Sequence, residues 1–210
     1  MSLSYGIILS EDKLKILLNA SGGDFVFAPL SPEMPDVRTV NENLFAMVKD
    51  EIIGCDGEKF IIPKKLYDML CSIKNAKNIV EYIDIATDKS VFYYGGENPL
   101  SIRRDIGGRL VLHSDNLDSF VDEILELSEL NSSFEELAQR LQYDVARYDD
   151  EGLSVFHCKI YTSKALQQDW KVLLSSRQAP KLSISYENGD LTVFDYSIEE
   201  LKNLLIHALK

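Results

Sequence analysis

An internal repeat is the feature that most constrains how this chain can fold. Shifting the sequence by 81 residues lays 88–128 over 169–209 without a gap, although only five of the 41 aligned pairs are identical. The apolar positions agree better than the identities do, and both copies read as strand, strand, turn, strand and helix. The sequence therefore predicts two related halves that share one sheet with quasi-twofold symmetry.

The repeat also decides a segment that is ambiguous between helix and strand. The pattern of Leu166–Ser176 favours neither structure by itself. In the alignment, Val172–Ser175 falls on Val91–Tyr94, which is predicted to be a strand. We therefore expect Val172–Ser175 to be a strand.

The remaining elements alternate between short strands and amphipathic helices. Ser10 is expected to cap the first helix, and Thr39 with Glu42 fits a capping box for the second, whose inner face would be Leu44, Phe45, Val48 and Ile52. We predict helices at about Glu11–Ala20, Thr39–Ile53, from Pro63 onward, Asn116–Leu127, Ser133–Tyr148 and from Ser197 to about Leu209. We predict strands at about Phe25–Leu30, Ile79–Ala86, Val91–Tyr94, Arg109–His113, Leu153–Ile160, Leu182–Tyr186 and Leu191–Asp195.

This order of elements predicts an α+β fold, in which a central, mainly antiparallel sheet is flanked by helices. We expect residues 1–210 to form a single domain built of two pseudo-repeated halves, about 1–130 and 131–210. The turn at Asn188-Gly189 is a strong hairpin signal between the last two strands.

Composition excludes several classes of function. The chain has 22 Lys and Arg against 34 Asp and Glu, a formal net charge of −12, which disfavours binding to a phosphate backbone. No apolar run is long enough for a membrane span, and the N-terminus does not resemble a signal peptide. The three cysteines, Cys55, Cys71 and Cys158, have no metal-ligand spacing and are expected to be free thiols of a cytoplasmic protein.

No arrangement of reactive side chains predicts catalysis. His157 and Cys158 are neighbours on a predicted strand, so their side chains should point to opposite faces. The acidic run Asp149-Asp150-Glu151 is consecutive, whereas calcium loops space their ligands. We therefore predict a protein that is not an enzyme and that needs no cofactor or metal.

One strand is unusual because it carries aromatic residues on both faces. Val91-Phe92-Tyr93-Tyr94 fits a strand that is covered by structure on both sides. The alternative is an exposed aromatic face that binds another protein, since aromatic residues are enriched in interfaces.

With this order of elements, the chain resembles the EspG family, the cytoplasmic chaperones of type VII (ESX) secretion. The resemblance lies in the leucine-rich helix Leu14–Leu18, the turn Glu51-Ile-Ile-Gly-Cys-Asp-Gly-Glu, the short helix Pro63-Lys-Lys-Leu-Tyr-Asp-Met-Leu, and the strand Gly108-Arg-Leu-Val-Leu before a closing helix. EspG proteins are longer and actinobacterial, whereas this Lys-, Ile-, Asn- and Tyr-rich chain looks like a low-GC Gram-positive sequence. The resemblance implies a distant relative that serves a Firmicutes secretion system.

The resemblance also implies a partner and a place to bind it. The family binds the helical tip of a secreted PPE protein through its sheet and the loop between the second and third strands. By strand order that loop is about Ala86–Ser90 here, so the implied partner-binding residues are Asp88, Lys89 and Tyr93. The implied partner is a secreted helical effector that is held soluble before export.

Two further functions stay open at this point. The chain could be a small-ligand-binding protein or an enzyme whose site is assembled from dispersed residues, in which case a deep polar pocket near His113 or His157 is expected. It could also be an immunity or scaffold protein. A homodimer is possible if a sheet edge is left unprotected.

Overall fold

The computed structural model describes most of the first two thirds of the chain and the strands and helix of the last third. The residues described are 6–22, 30–31, 33–84, 89–127, 148–149, 152–162, 165–175, 181–186, 191–195 and 197–209. In several of these strands, and at the last two helical positions, only the backbone is described. The chain forms two compact units, one of Met1–Lys77 with Tyr94–Asp115 and one of Asn78–Tyr93 with Asn116–Lys210.

The predicted α+β class is confirmed. The helices of the described residues are α1 Glu11–Ala20, α2 Val37–Lys49, α3 Lys64–Asn75, α4 Leu117–Leu127 and α5 Ile198–Leu209. The strands are β1 Ile7–Leu9, β2 Gly54–Asp56, β3 Lys59–Ile61, β4 Asn78–Asp84, β5 Lys89–Gly95, β6 Leu100–Arg104, β7 Leu110–Ser114, β8 Tyr148–Asp149, β9 Gly152–Thr162, β10 Ala165–Ser175, β11 Lys181–Tyr186 and β12 Leu191–Asp195.

Each unit has its own arrangement of strands. In the first unit, β1, β7 and β6 lie side by side, and β2 and β3 form a separate hairpin. In the second unit, the strand order is β5, β4, β9, β10, β11 and β12, and β8 pairs with β9. All pairings whose register is described are antiparallel, as predicted. No helix among the described residues is both long and apolar enough to cross a membrane.

The first helix follows the sequence signals closely. Ser10 caps α1 by accepting a hydrogen bond from the Lys13 N–H at 3.3 Å, and Glu11 and Asp12 lie in the first turn, where the helix dipole favours negative charge. Gly22 ends the helix with φ +72°, a conformation that glycine adopts without strain. The leucines of the helix are buried, as their spacing predicts: Leu14, Leu17 and Leu18.

The second helix begins earlier and ends earlier than predicted. Asp36, and not Thr39, is the N-cap, because the Asp36 carboxylate accepts the Thr39 N–H at 2.8 Å. That hydrogen bond lowers the pKa of Asp36. The helix stops at Lys49, because Glu51 takes the left-handed conformation with φ +57°.

The predicted inner face of α2 was wrong at one position. Phe45 is 71% exposed, while Met47 is fully buried. The two side chains lie about 200° apart around the helix, so they cannot share a face. The stripe Val40, Leu44, Met47 and Val48 has the i, i+4, i+7, i+8 spacing of a core face and leaves Phe45 outside it.

Most predicted strands are confirmed, and some short strands were not predicted. The structure has strands at the positions predicted for β4, β5, β7, β9, β11 and β12, and the ambiguous stretch is strand β10. β1, β2 and β8 were missed, and β6, which holds Arg103 and Arg104, is the second strand of the order that the repeat predicts, although no bounds were predicted for it. The predicted helix Ser133–Tyr148 lies outside the described residues up to Tyr148, which is in β8, and the predicted strand Phe25–Leu30 lies outside them except for Leu30.

The two copies of the repeat have matching elements. A shift of 81 residues carries β6 onto β11, β7 onto β12 and α4 onto α5, within one residue at each end. The registers also agree. Leu100↔Ser114 in the first hairpin corresponds to Lys181↔Asp195 in the second, and the other four pairs follow in step. The predicted order of elements in the two copies is therefore confirmed, while their quasi-twofold relation and the single-domain division stay predictions.

The closing helices of the two copies pack against each other within the second unit. Their core positions correspond, since Phe120 and Ile124 in α4 match Leu201 and Leu205 in α5, and all four side chains have no exposed surface. Lys202 donates to Asp122 across the pair, mostly in solvent. The burial of equivalent apolar side chains stabilises this half of the molecule.

Candidate interaction surface

The three residues implied by the family resemblance do not form a described surface. Asp88 lies outside the described residues, and Lys89 opens β5 with only its backbone described. Tyr93 is 5% exposed. Its ring stacks on Phe120 of α4, with centroids 4.8 Å apart and planes at 23°. Tyr93 is therefore part of the packing between β5 and α4.

The aromatic strand is covered on both faces. Val91, Phe92, Tyr93 and Tyr94 are each 5% exposed or less, although successive side chains point to opposite sides of a strand. The core explanation of this sequence is therefore confirmed. The alternative of an exposed aromatic face on β5 is wrong.

Large apolar side chains are exposed elsewhere, in the first unit. Val37 and Phe45 on α2 are 78% and 71% exposed. Others lie in β3 and α3, and Ile8, Met34 and Ile106 are exposed singly elsewhere in this unit. We refer to the five residues of α2, β3 and α3 together as the exposed apolar set: Val37, Phe45, Phe60, Ile61 and Tyr67.

The β2–β3 hairpin presents part of this set on a projecting ribbon. All six of its strand residues are exposed, although Phe60 and Ile61 are each about half covered. Gly57 has φ +60° at the first central position of the two-residue turn, where a type II′ turn requires glycine. Phe60 lies opposite Cys55, and Ile61 opposite Gly54. A two-stranded hairpin is marginally stable alone, so a covering partner would stabilise it.

The base of the hairpin is anchored by the end of α2. The Ile52 N–H donates to the Met47 carbonyl at 2.9 Å, and the Glu51 N–H donates to the Val48 carbonyl at 3.1 Å, which is the Schellman arrangement. Ile53, immediately before β2, is 3% exposed. The hairpin therefore leaves the core at a defined point.

A buried ionic network holds the segment that precedes α2. The Lys15 ammonium, 3% exposed, lies 3.0 Å from Glu11 and donates to the Ser31 hydroxyl and the Glu33 carbonyl. Arg104 donates to the other Glu11 oxygen at 2.8 Å, and the Ser31 N–H donates to Glu11 at 2.7 Å. These contacts satisfy each charge in the network, which marks it as structural.

The network strongly favours the ionised form of Glu11. Burial by itself would raise the pKa of this carboxyl group. The hydrogen bonds from Arg104, Ser31 and Lys15 outweigh burial and lower the pKa to about 2. The Glu11 carboxylate is therefore charged at neutral pH and is unsuited to act as an acid or a base there.

An open pocket of about 590 Å³ lies beside the end of α3. Its surface is about equally polar and apolar, and it comes from α3 and from the turn between β5 and β6: Asp68, Cys71, Ser72, Asn75, Lys77, Gly96, Glu97 and Asn98. Neither His113 nor His157 lines it. The half-buried Cys71 thiol shares a hydrogen bond with the Tyr67 hydroxyl, and this bond raises the pKa of the phenol.

The reactive side chains of the second unit form no site that the described residues reveal. Cys158 is fully buried in β9, opposite Tyr82 of β4, and its neighbour His157 lies opposite Ile83. Adjacent positions on a strand face opposite sides, as the sequence analysis expected. Among the residues that the structure describes, no group of His, Cys, Asp or Glu could hold a metal ion.

Two comparisons with known proteins do not indicate a function for this chain. The sequence matches no protein-family model, and no curated protein is significantly similar to it. The resemblance to EspG proteins therefore stays a prediction.

The exposure of the apolar set was not predicted from the sequence, and the reasons differ between α2 and the hairpin. Phe45 was counted with the core because it is adjacent to Leu44, although the 3.6-residue period excludes it from that stripe. Phe60 and Ile61 follow the Asp56-Gly57 turn, which was recognised. The signal that could have found them is the shortness of the hairpin, since strands of three residues bury little.

Proposed function

We propose that this chain is a non-enzymatic protein that binds another protein. Its role would be that of a cytoplasmic chaperone of type VII secretion, which holds a secreted helical protein soluble before export, as the resemblance to the EspG family implies. By covering an apolar helical tip, such a chaperone prevents the tip from associating with other molecules.

The observation that carries the proposal is the exposed apolar set. Single exposed apolar residues are common on protein surfaces, but Phe45, at 71% exposure, and Phe60, at 44%, are large aromatic side chains. Aromatic residues are enriched at the centres of interfaces, where they supply much of the binding energy. Helix α2 and the β2–β3 hairpin therefore support protein binding better than β5 does.

Charges near the exposed apolar set suit a polar rim. Arg38 and Glu42 form an exposed ion pair on α2, at 2.8 Å, on the helix that also carries Val37 and Phe45. Lys59 lies beside Phe60 in the hairpin. The chain's net charge of −12 favours solubility of the free chaperone and disfavours contact with anionic surfaces.

The loop at about Ala86–Ser90, which the resemblance implies, is a secondary part of the proposed binding site. Asp88 and Lys89 remain proposed contacts of the partner. Tyr93 is buried against Phe120 and does not contribute an exposed anchor.

Affinity capture from the native host tests the proposal. The tagged full-length chain should retain one small, helix-rich secreted protein at near-equal stoichiometry, identified by mass spectrometry. The variant Phe45→Ser with Phe60→Ser should lose that protein, whereas the control Asp118→Ser with Glu126→Ser, at two exposed positions of α4 in the second unit, should retain it. Recovery of no such protein, or equal recovery by both variants, would contradict the proposal.

A second candidate function rests on the pocket beside α3. Its lining mixes carboxylates, amides and the Lys77 ammonium, which suits a small polar ligand better than an apolar one. Native mass spectrometry of protein purified from the host would show a bound molecule. Ser72→Trp should displace that molecule by filling the pocket, and an identical mass spectrum for both proteins would exclude the pocket as its site.

A further inference from the structure

The outer edges of the two repeat copies differ in whether a described strand pairs with them. In the first copy, β1 pairs with the outer edge of β7, with Ile7 opposite Leu112 and Leu9 opposite Leu110. In the second copy, β12 is the last strand, and its described pairing is with β11 alone. Because the hairpins β6–β7 and β11–β12 have the same register, the two edges can be compared residue by residue.

The hydrogen bonds of the first copy show which backbone groups face its edge. The Asp105 N–H donates to the Arg109 carbonyl, and the Asp115 N–H donates to the Pro99 carbonyl. Bonded pairs alternate along an antiparallel ladder, so the odd-numbered residues of β7 bond to β6. Leu110 and Leu112 therefore turn their N–H and C=O groups towards β1.

The repeat transfers this phase to the second copy. Leu110 and Leu112 correspond to Leu191 and Val193, so these two residues, with Asp195, direct their backbone groups away from β11. The segment Leu191-Thr192-Val193-Phe194 contains no charge and no proline. Charged residues and prolines are the usual protection of an edge strand, and β12 has only Asp195, at its end, which favours pairing with another strand.

We propose that β12 pairs with β12 of a second copy of this chain, antiparallel and centred on Val193. Val193 then lies opposite Val193 of the second copy, and Leu191 lies opposite Asp195. In this register, the residues whose N–H and C=O groups point away from β11 are paired with each other. The two Asp195 carboxylates are not opposite each other. It also forms a closed twofold dimer, in which each copy covers the edge of the other and no further edge is created.

A second copy fits this edge better than a foreign strand for a reason of symmetry. The matching edge in the first copy is already covered by a strand of the same chain, β1. Pairing β12 with β12 of a second molecule covers the edge of the second copy in the same way, and it needs no other protein. The exposed apolar set belongs to the other unit, so the dimer and the proposed partner binding can fail independently.

Analytical ultracentrifugation of the full-length chain over a wide concentration range tests the proposal. The wild type should sediment as a dimer that dissociates on dilution. Val193→Pro removes an outward N–H that β11 does not use, so the monomer should fold while its dimer dissociation constant rises about 30-fold, from the loss of two symmetric hydrogen bonds. Val193→Thr keeps the N–H and should dimerise like the wild type.

A second variant covers the case in which Val193→Pro does not fold. Thr192→Lys leaves every backbone group in place and puts a charge at the edge, and it should also raise the dimer dissociation constant. Circular dichroism checks that each variant is folded. A wild type that is monomeric at every concentration, or folded Val193→Pro or Thr192→Lys variants that dimerise like the wild type, would overturn the proposal.

Discussion

Strand β5 and the β2–β3 hairpin are both short extended segments with aromatic residues, yet they lie in opposite environments. In β5, four successive apolar side chains from Val91 to Tyr94 are buried on both faces. In the hairpin, all six strand residues are exposed, including Phe60 and Ile61. The denser aromatic cluster is therefore core, and the sparser one is available to a partner.

The difference shows that aromatic content by itself does not identify an interface. What decides is the surrounding structure: Tyr93 has Phe120 of an amphipathic helix against it, whereas Phe60 belongs to a two-stranded ribbon whose strand residues are all exposed. Removing a buried aromatic residue lowers the stability of the fold, whereas removing an exposed aromatic residue at an interface lowers the binding affinity. Mutations can separate these contributions.

The largest expected effect is on the stacked pair in the second unit. Phe120→Ala and Tyr93→Ala should each lower the free energy of unfolding by about 3 kcal/mol, because each leaves a cavity between β5 and α4. Urea denaturation measures the change, and Phe60→Ala, with its exposed ring, should alter the free energy by less than about 0.5 kcal/mol. Equal losses for Phe120→Ala and Phe60→Ala would remove the contrast between the two segments.

The next largest effect on stability concerns the ionic network of Glu11, Lys15 and Arg104 in the first unit. Because the folded pKa of Glu11 is lowered to about 2, its stabilisation is complete above the unfolded pKa of about 4.5 and is lost as the pH falls from there towards 2. At neutral pH, Glu11→Gln should cost about 1–2 kcal/mol after allowance for partial solvent screening.

The exposed carboxylate Glu42 provides the matched control for that measurement. Glu42→Gln breaks the Arg38 ion pair in solvent and should cost no more than about 0.5 kcal/mol. The Glu11→Gln deficit should also shrink as the pH is lowered towards 2. A deficit that is independent of pH would show that the network does not stabilise the fold through the charge of Glu11.

The smallest effect sharpens the view of the hairpin base. Glu51 has φ +57° at a position where α1 uses Gly22, so Glu51→Gly should raise the free energy of unfolding by about 1 kcal/mol. Gly22→Ala should lower it by a similar amount. Thermal denaturation of both variants checks the pair, and a destabilised Glu51→Gly protein would mean that the glutamate side chain has a role that the backbone does not reveal.

Much of the fold could be predicted from the sequence because its signals are local. Ser10 capped α1, the stripe of α4 was buried, and the 81-residue repeat assigned strand to Val172–Ser175. β1 was missed because it is a strand of only three residues that is held by pairing with β7. The pairing of Ile7 with Leu112 depends on residues more than a hundred positions apart, which no local pattern encodes.

The candidate surface was harder to predict because exposure is a property of tertiary structure. Tyr93 and Phe60 have similar sequence surroundings, each next to β-forming residues. The stacking of Phe120 on Tyr93, and the exposure of all the strand residues of the hairpin, distinguish them. The sequence did contain two signals, the helical period at Phe45 and the shortness of the hairpin.

The most direct measurement is the affinity of the captured partner for matched pairs of variants, by isothermal titration calorimetry. Phe60→Ser with Ile61→Ser should raise the dissociation constant by at least about 30-fold, because removing two interface anchors costs about 2 kcal/mol or more, while the unfolding midpoint stays near that of the wild type. The control, Lys64→Ser with Lys65→Ser, changes two exposed residues just after the hairpin and should bind like the wild type. Wild-type affinity in the Phe60 and Ile61 variant would contradict the claim that the exposed hairpin of the first unit contacts the partner.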